Sequence, residues 1–187
     1  MSPNQIDPEL VQDTDGSSID TAITPPETIP PDLTDDNDGP PSRASYPISY
    51  SIPEPGSTFI IRSVWSRNII TLLMGQVVLA PPEDNFGSPH WECIETNGCL
   101  GFRNIASGRF LGRNNQWLLC CSVNWHQEHE KFHIRSRPEG GYILLMTHWG
   151  KLRPVGMKDE KGEKKLAMVE SGNTNGIVWE FVEVDTI

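Results

Sequence analysis

The first 46 of the 187 residues lack tryptophan, cysteine, histidine and lysine, and Tyr46 is their one aromatic side chain. They hold ten of the 25 acidic residues, one of the 15 basic residues and eight of the 16 prolines. So few apolar side chains cannot bury enough surface to compensate for the entropy lost on ordering. The composition therefore predicts a disordered, acidic, proline-rich tail over residues 1–46 and one folded domain over residues 47–187.

The charge of the predicted domain is nearly balanced, with 15 acidic and 14 basic residues in 47–187. Binding to a phosphate backbone needs a concentrated basic face, so we expect no nucleic-acid partner. No apolar run approaches the roughly 18 residues of a membrane span, so we expect no membrane partner. The start Met1-Ser2-Pro3-Asn4-Gln5 lacks the basic and apolar segments of a secretion signal, which favours a cytoplasmic location.

The four cysteines do not form an obvious disulfide pattern. Cys120 and Cys121 are adjacent, so their side chains would point to opposite faces of a strand. Cysteine often behaves as a small buried hydrophobe, and the pattern favours reduced, structural thiols at Cys93, Cys99, Cys120 and Cys121.

The domain contains an internal threefold repeat with a period of about 40 residues, which is the signature of a repeat architecture. A shift of 41 positions, without a gap, carries Ile61-Arg62-Ser63-Val64 onto Phe102-Arg103-Asn104-Ile105. A third copy starts at Gly140 and ends at Trp179-Glu180-Phe181-Val182, with about five extra residues near 157–163. The predicted copies span about 57–97, 98–138 and 139–184.

Each copy consists of short β-type runs. Runs such as Gln76-Val77-Val78-Leu79 are β-branched or aromatic and are bounded by Gly, Pro, Asn or Ser. At the copy ends Trp91, Phe132 and Trp179 alternate with polar neighbours, which places these aromatic anchors on one buried face. No sustained helical period occurs over 57–184. The sequence therefore predicts an all-β domain of about 12 short strands, closed around a threefold axis.

On these residues the chain resembles the β-trefoil family, and especially its fascin-like branch. The stretch from Gly101 to Leu111, with its Gly108-Arg109-Phe110-Leu111 turn, is the closest match to that branch. The segment Gly140-Gly141-Tyr142-Ile143-Leu144-Leu145-Met146 is similar to a group of uncharacterised fungal single-trefoil proteins. The resemblance spans roughly 57–184 and implies a β-trefoil fold, but one fold hosts unrelated activities.

The densest cluster of reactive side chains runs from Trp125 to His133. His126 and His129 would share a metal on a helix, but their spacing does not match the zinc-protease pattern and the repeat places them in a loop. Ser107 and Ser122 lack the Gly-x-Ser-x-Gly context of a nucleophile. We therefore expect no catalytic residue, no metal, no cofactor and a chain that is not an enzyme.

Four tryptophans are not shared between the copies: Trp65, Trp117, Trp125 and Trp149. A tryptophan that the threefold core does not need is either a plug at a barrel end or an exposed stacking platform. We select two of these tryptophans, with their histidine neighbours, as candidate ligand-binding residues. We add two arginines, which either lie beside these tryptophans or are ordinary surface cations. The candidates are Trp125, His126, His148, Trp149, Arg103 and Arg109.

The leading hypothesis is a non-enzymatic recognition module that binds a protein partner or a carbohydrate through loop aromatics. Fascin-like proteins cross-link actin through several tandem trefoils, so the resemblance also implies an actin-binding or cross-linking protein. A trefoil protease inhibitor is the second alternative, with candidate loops at 81–87 and 157–165. Ricin-type lectins carry Gln-x-Trp in each copy, whereas the corresponding triplets here are Pro89-His90-Trp91, Glu130-Lys131-Phe132 and Ile177-Val178-Trp179. This departure argues against a ricin-type sugar site and leaves a different lectin site open.

Overall fold

The structure is a computed structural model that describes residues 51–83, 87–172 and 176–185. The predicted tail, and the start of the predicted domain before residue 51, lie outside these ranges. No helix within them has the length and apolar character needed to cross a membrane. They contain one short 3-10 helix, Glu128–Glu130, and twelve strands: β1 Thr58–Ser63, β2 Ile69–Leu73, β3 Gln76–Ala80, β4 His90–Thr96, β5 Cys99–Asn104, β6 Phe110–Arg113, β7 Leu119–Val123, β8 Phe132–Ser136, β9 Tyr142–His148, β10 Lys151–Glu160, β11 Glu163–Met168 and β12 Val178–Val184.

Six of the strands close into a ring of antiparallel pairs. Strand β1 pairs with β4, β4 with β5, β5 with β8, β8 with β9, β9 with β12, and β12 returns to β1. The other six strands form three hairpins, β2–β3, β6–β7 and β10–β11. Each third of the chain thus supplies two barrel strands and one hairpin. This arrangement is a β-trefoil, which confirms the predicted fold class.

The barrel is filled by side chains from equivalent positions in the three copies. The predicted anchors Trp91, Phe132 and Trp179 are fully buried. Phe102 packs at the centre, with its ring centroid 5.5 Å from that of Phe132 and 5.7 Å from that of Phe181. Aromatic pairs at these separations add to the free energy gained from burial. The threefold pattern read from the sequence is therefore the pattern of the core.

Four two-residue turns each connect two antiparallel strands and fix their register. Their residues all have positive φ, and this type I′ geometry favours Asn-Gly because asparagine and glycine tolerate left-handed backbone. Asn97-Gly98 fits that preference. Met74-Gly75, Trp149-Gly150 and Lys161-Gly162 instead place a long or bulky side chain at the strained first position.

The extra residues of the third copy lengthen the β10–β11 hairpin. Strand β10 has ten residues and pairs with β11 up to Glu160 opposite Glu163. The candidate inhibitor loop at 157–165 is therefore the end of a regular hairpin. Part of the other candidate loop, residues 84–86, lies outside the described residues.

All four cysteines carry free thiols. Burial, with a smaller contribution from the charges of Glu95 and Glu92, raises the pKa of Cys93 to about 12. Burial also raises the pKa of the Cys120 and Cys121 thiols. The thiolate is the reactive form of cysteine, so these three side chains act as small packing groups.

Phe102→Ala should lower the free energy of unfolding by about 3–5 kcal/mol, because it leaves a cavity at the centre of the barrel. The measurement is urea unfolding followed by tryptophan fluorescence. Ile105→Ala is the control on the same copy, since Ile105 is 52% exposed and its truncation should change stability by less than about 0.5 kcal/mol. Equal effects of the two substitutions would contradict this description of the core.

Candidate functional site

The site begins at Trp149, in the tight turn between β9 and β10. His148 pairs with Lys151 across the turn, so Trp149 and Gly150 alone connect the strands. Trp149 has a φ of 47° and is 92% exposed. Its ring stacks on that of His148, with centroids 5.0 Å apart and planes 15° from parallel. A large aromatic ring is thus held in solvent by a turn that favours asparagine, and hydrophobic burial does not explain its presence.

Trp149 borders a cleft of about 470 Å³. The cleft lies between the end of β6, the β6–β7 turn, the 3-10 helix and the β9–β10 turn, so the second and third copies form it together. Its lining includes Arg113, Asn115, Trp117, His129, Thr147 and His148.

Trp117 forms an aromatic wall of the cleft. It is half-buried and packs against the hydrophobic core. The ring of His148 meets it edge-on at 5.1 Å, and the guanidinium of Arg153 lies 4.8 Å from its ring centroid. Trp117 therefore acts as a plug, while Trp149 is the exposed platform; these are the two roles that the sequence left open for unshared tryptophans.

Arg113 ends β6 and is only 7% exposed. Its Nη2 donates to Nδ1 of His148 at 3.3 Å. Because a guanidinium only donates, the imidazole must be neutral, with its proton on Nε2. In the described residues no carboxylate lies within 4.0 Å of this guanidinium, and its buried Nε has no hydrogen-bond partner there.

The histidines of the cleft are held neutral by their surroundings. Desolvation, and then the charge of Arg113, lower the pKa of both His129 and His148. The charge of Arg153 adds to this effect at His148. Because Nδ1 of His148 already accepts a hydrogen bond from Arg113, this imidazole offers its Nε2–H as a donor beside the aromatic rings of the cleft.

Glu130 ends the 3-10 helix that borders the cleft, and its side chain is buried. Its Oε2 accepts a hydrogen bond from the backbone N–H of Gln127 at 3.3 Å, and burial raises the pKa of its carboxyl group. A Cβ at Gly112 would stand 2.6 Å from Glu130 Oε1. Glycine at position 112 therefore lets the 3-10 helix approach β6 and form the cleft.

Of the six candidate residues, the structure brings His148 and Trp149 together. Trp125 is 73% exposed but does not line this cleft. His126 instead stacks on Phe110 at 5.4 Å and lies against Gly101, where a Cβ would stand 2.9 Å from its Nε2. His126 is therefore a packing residue.

The two candidate arginines also lie away from the cleft. Arg103 pairs with Glu92 across β4 and β5, with Nε 2.8 Å from the carboxylate oxygen. Arg109 is an exposed residue of the β5–β6 turn. Both therefore behave as surface cations in this structure. No group of three or more His, Cys, Asp or Glu side chains that could hold a metal occurs among the described residues.

Sequence reasoning missed Arg113, Trp117 and His129 as residues of the site. A signal was present for Arg113, because the repeat shift of 41 positions aligns it with the apolar Leu72 of the first copy, and the strand register places Met157 there in the third. A charged residue in an otherwise apolar column is a residue that the fold does not require.

No protein-family model and no curated protein matches the chain. Solved structures match it in fold. A designed threefold-symmetric protein, ThreeFoil, matches with a TM-score of 0.55 and 13% identity, covering 68% of this chain and 99% of that chain. A ricin B-like lectin from Macrolepiota procera, in complex with lactose, matches with a TM-score of 0.54 and 12% identity, covering 70% and 98%.

A lectin from Polyporus squamosus, bound to a human-type influenza-binding epitope, has a TM-score of 0.56 and 12% identity, covering 70% of this chain and 50% of that chain. The chain spans 37% of the length of Cry35Ab1 and 31% of an exo-β-1,3-galactanase from Clostridium thermocellum. At these identities the likeness shows the β-trefoil fold alone.

The lowered pKa values of His126, His129 and His148 predict a pH-dependent stability. The unfolded chain binds protons at the ordinary value near 6.5 and the folded chain only at lower pH, so stability is lost as pH falls through about 6.5. The raised pKa of Glu130 acts in the opposite direction, and a Glu130→Gln background removes it.

In that background, the urea midpoint should fall between pH 7.5 and pH 5.5. His148→Gln should flatten the slope, since it removes one of the three groups. A midpoint that is constant or rises toward pH 5.5 would show that the imidazoles are not held neutral.

Proposed function

We propose that this chain is a non-enzymatic recognition module that binds carbohydrate in the cleft bordered by Trp149. The observation that carries the proposal is the exposed indole of Trp149, held in an unfavourable left-handed turn beside a polar cleft. Backbone strain of this kind persists where the surrounding structure imposes it, and it concentrates at ligand sites. An aromatic face offers the apolar side of a sugar ring a flat surface on which to pack.

The other groups of the cleft suit the hydroxyl groups of a sugar. Each hydroxyl both donates and accepts hydrogen bonds. The cleft supplies the donors of Arg113, the neutral imidazoles of His129 and His148, and the amide of Asn115. Its volume of about 470 Å³ is within the usual range of about 300–1,000 Å³ for small-molecule sites.

The comparisons support the proposal at the level of the fold, since two of the matching solved structures are lectins. The triplets that stand in place of Gln-x-Trp end in Trp91, Phe132 and Trp179, and all three rings are fully buried. They belong to the core, so Trp149 is the aromatic group proposed to contact the ligand.

A carbohydrate is favoured over a protein partner because Trp149 stands beside a polar cleft, whereas the core of a protein interface is depleted in charged groups. The fascin-like relationship, the similarity to fungal proteins, an actin partner and a cytoplasmic location stay predictions of the sequence. So do the exclusions of nucleic acid and membrane as partners.

Trp149→Ala should weaken the binding of glycans by about 30-fold or more, the loss expected for a central aromatic contact. Binding is measured on a glycan array and then by calorimetry with the full chain. Trp65→Ala is the matched control, because Trp65 is 81% exposed in the corresponding turn of the first copy and does not line the cleft. The proposal fails if no glycan binds, or if the two substitutions weaken binding equally.

Trp149→Asn should raise the stability of the fold by about 1 kcal/mol while it removes binding, since asparagine adopts positive φ at lower cost. Asn97→Trp makes the reverse change in the Asn97-Gly98 turn and should lower stability by a similar amount. Urea unfolding of both variants tests the expectation. A loss of stability in Trp149→Asn would show that Trp149 is retained for the fold rather than for a ligand.

A further inference from the structure

We propose that the carbohydrate bound in this cleft carries a carboxylate, and that Arg113 binds it. The inference rests on the proposed function and names the class of sugar: an acidic carbohydrate with a carboxyl group on its ring, as in a uronic acid. Two independent observations carry it, the unpaired charge of Arg113 and its place relative to the platform of Trp149.

Arg113 is the one buried arginine among the described residues, and it is also without a carboxylate partner there. Three arginines elsewhere in the barrel are paired with carboxylates, Arg62 and Arg67 with Glu180, and Arg103 with Glu92. A buried charge without a counter-charge is unfavourable in a folded protein. An anionic ligand would supply the missing partner.

The trefoil itself does not call for a charge at this position. Strand pairing places Arg113 in register with Leu72 of the first copy and Met157 of the third, and both of these apolar side chains are partly buried against the core. An apolar side chain would therefore complete β6 without the cost of desolvating a guanidinium. The arginine at position 113 is a departure from the repeat at the same place where the cleft opens.

The charges that face Arg113 leave it positive. Glu130 is the carboxyl group whose charge it senses, but the two are not within salt-bridge distance. Glu128 also lines the cleft, but its carboxylate is paired with Lys131. Arg153, which lies over the ring of Trp117, is paired with Glu170.

The two histidines of the cleft do not counter this charge. Desolvation lowers the pKa of both His129 and His148, so neither adds a positive charge at neutral pH and neither supplies a negative one. A carboxylate matches the planar fork of the guanidinium and forms charge-assisted hydrogen bonds with it.

Arg113 and Trp149 lie on either side of His148, so a carboxylate on Arg113 and a sugar ring on Trp149 would be close together. Arg113 Nη2 is 3.3 Å from His148 Nδ1, and the imidazole stacks 5.0 Å from the indole of Trp149. One imidazole therefore separates the cation from the aromatic platform. A pyranose ring on Trp149 would direct an exocyclic carboxylate toward Arg113, with the Nε2–H of His148 as a further donor.

The test compares each acid with its own neutral ester on the full wild-type chain. The probes are methyl glycosides of glucuronic, galacturonic and mannuronic acid and the methyl esters of the same compounds, titrated by calorimetry. At least one acid should bind tenfold or more tightly than its ester. Raising NaCl from about 0.05 M to about 0.5 M should weaken binding of the acid and leave the ester unchanged.

Arg113→Gln should remove the difference between acid and ester, and Arg109→Gln, on the exposed β5–β6 turn, should preserve it. If Arg113→Gln does not fold, the comparison of acid and ester on the wild-type chain, with its salt dependence, still decides whether the bound sugar carries a carboxylate. The carboxylate inference is overturned if acid and ester bind equally and both depend on Trp149, or if only neutral glycans bind. Either result is still consistent with the proposed carbohydrate function. An absence of binding to every glycan overturns both. Binding of a peptide with a free C-terminal carboxylate, and of no sugar, overturns the assignment to carbohydrate.

Discussion

The structure depends on the closure of six strands around one set of buried side chains. Trp91, Phe132 and Trp179 occupy equivalent places in the three copies, and none of them reaches solvent. Because β12 must return to β1 to complete the ring, each copy has to supply two strands to it. The core cannot accommodate a change in one copy without a cavity or a clash in the others, and this constraint leaves the turns and hairpin ends as the places where the copies can differ.

The candidate site contains two residues at which one copy departs from the others. Trp149 occupies a turn position that favours asparagine, and Arg113 stands in a column that is otherwise apolar. Each choice carries a cost for the fold, in backbone strain for one and in desolvation of a charge for the other. His148 connects them, since it accepts a hydrogen bond from Arg113 and supports the ring of Trp149. Trp149 and Arg113 are both unfavourable for folding and lie in the same cleft, so a ligand explains their presence better than folding does.

The fold could be predicted from the sequence because the repeat spans the whole domain, and each copy shows the same alternation of buried and exposed residues. The site could be predicted only in part. His148 and Trp149 were found as an unshared pair, but Trp125 and His126 carried the same signal and lie elsewhere, His126 as a packing group against Phe110. A linear pattern does not show which turns approach each other. The contact of β6 with the β9–β10 turn, and so the role of Arg113, comes from the crossing of the second and third copies in space.

The central claim is that the indole of Trp149 contacts a bound carbohydrate. The most direct measurement is a ¹H–¹⁵N spectrum of the full chain during titration with a glycan that binds on the array, in which each of the six tryptophans gives an indole N–H signal. The account predicts that the signal of Trp149 moves and saturates with the ligand, while those of the buried Trp91 and Trp179 and of the exposed Trp65 stay in place. A saturating shift confined to Trp65 or Trp125, with Trp149 unchanged, would contradict it.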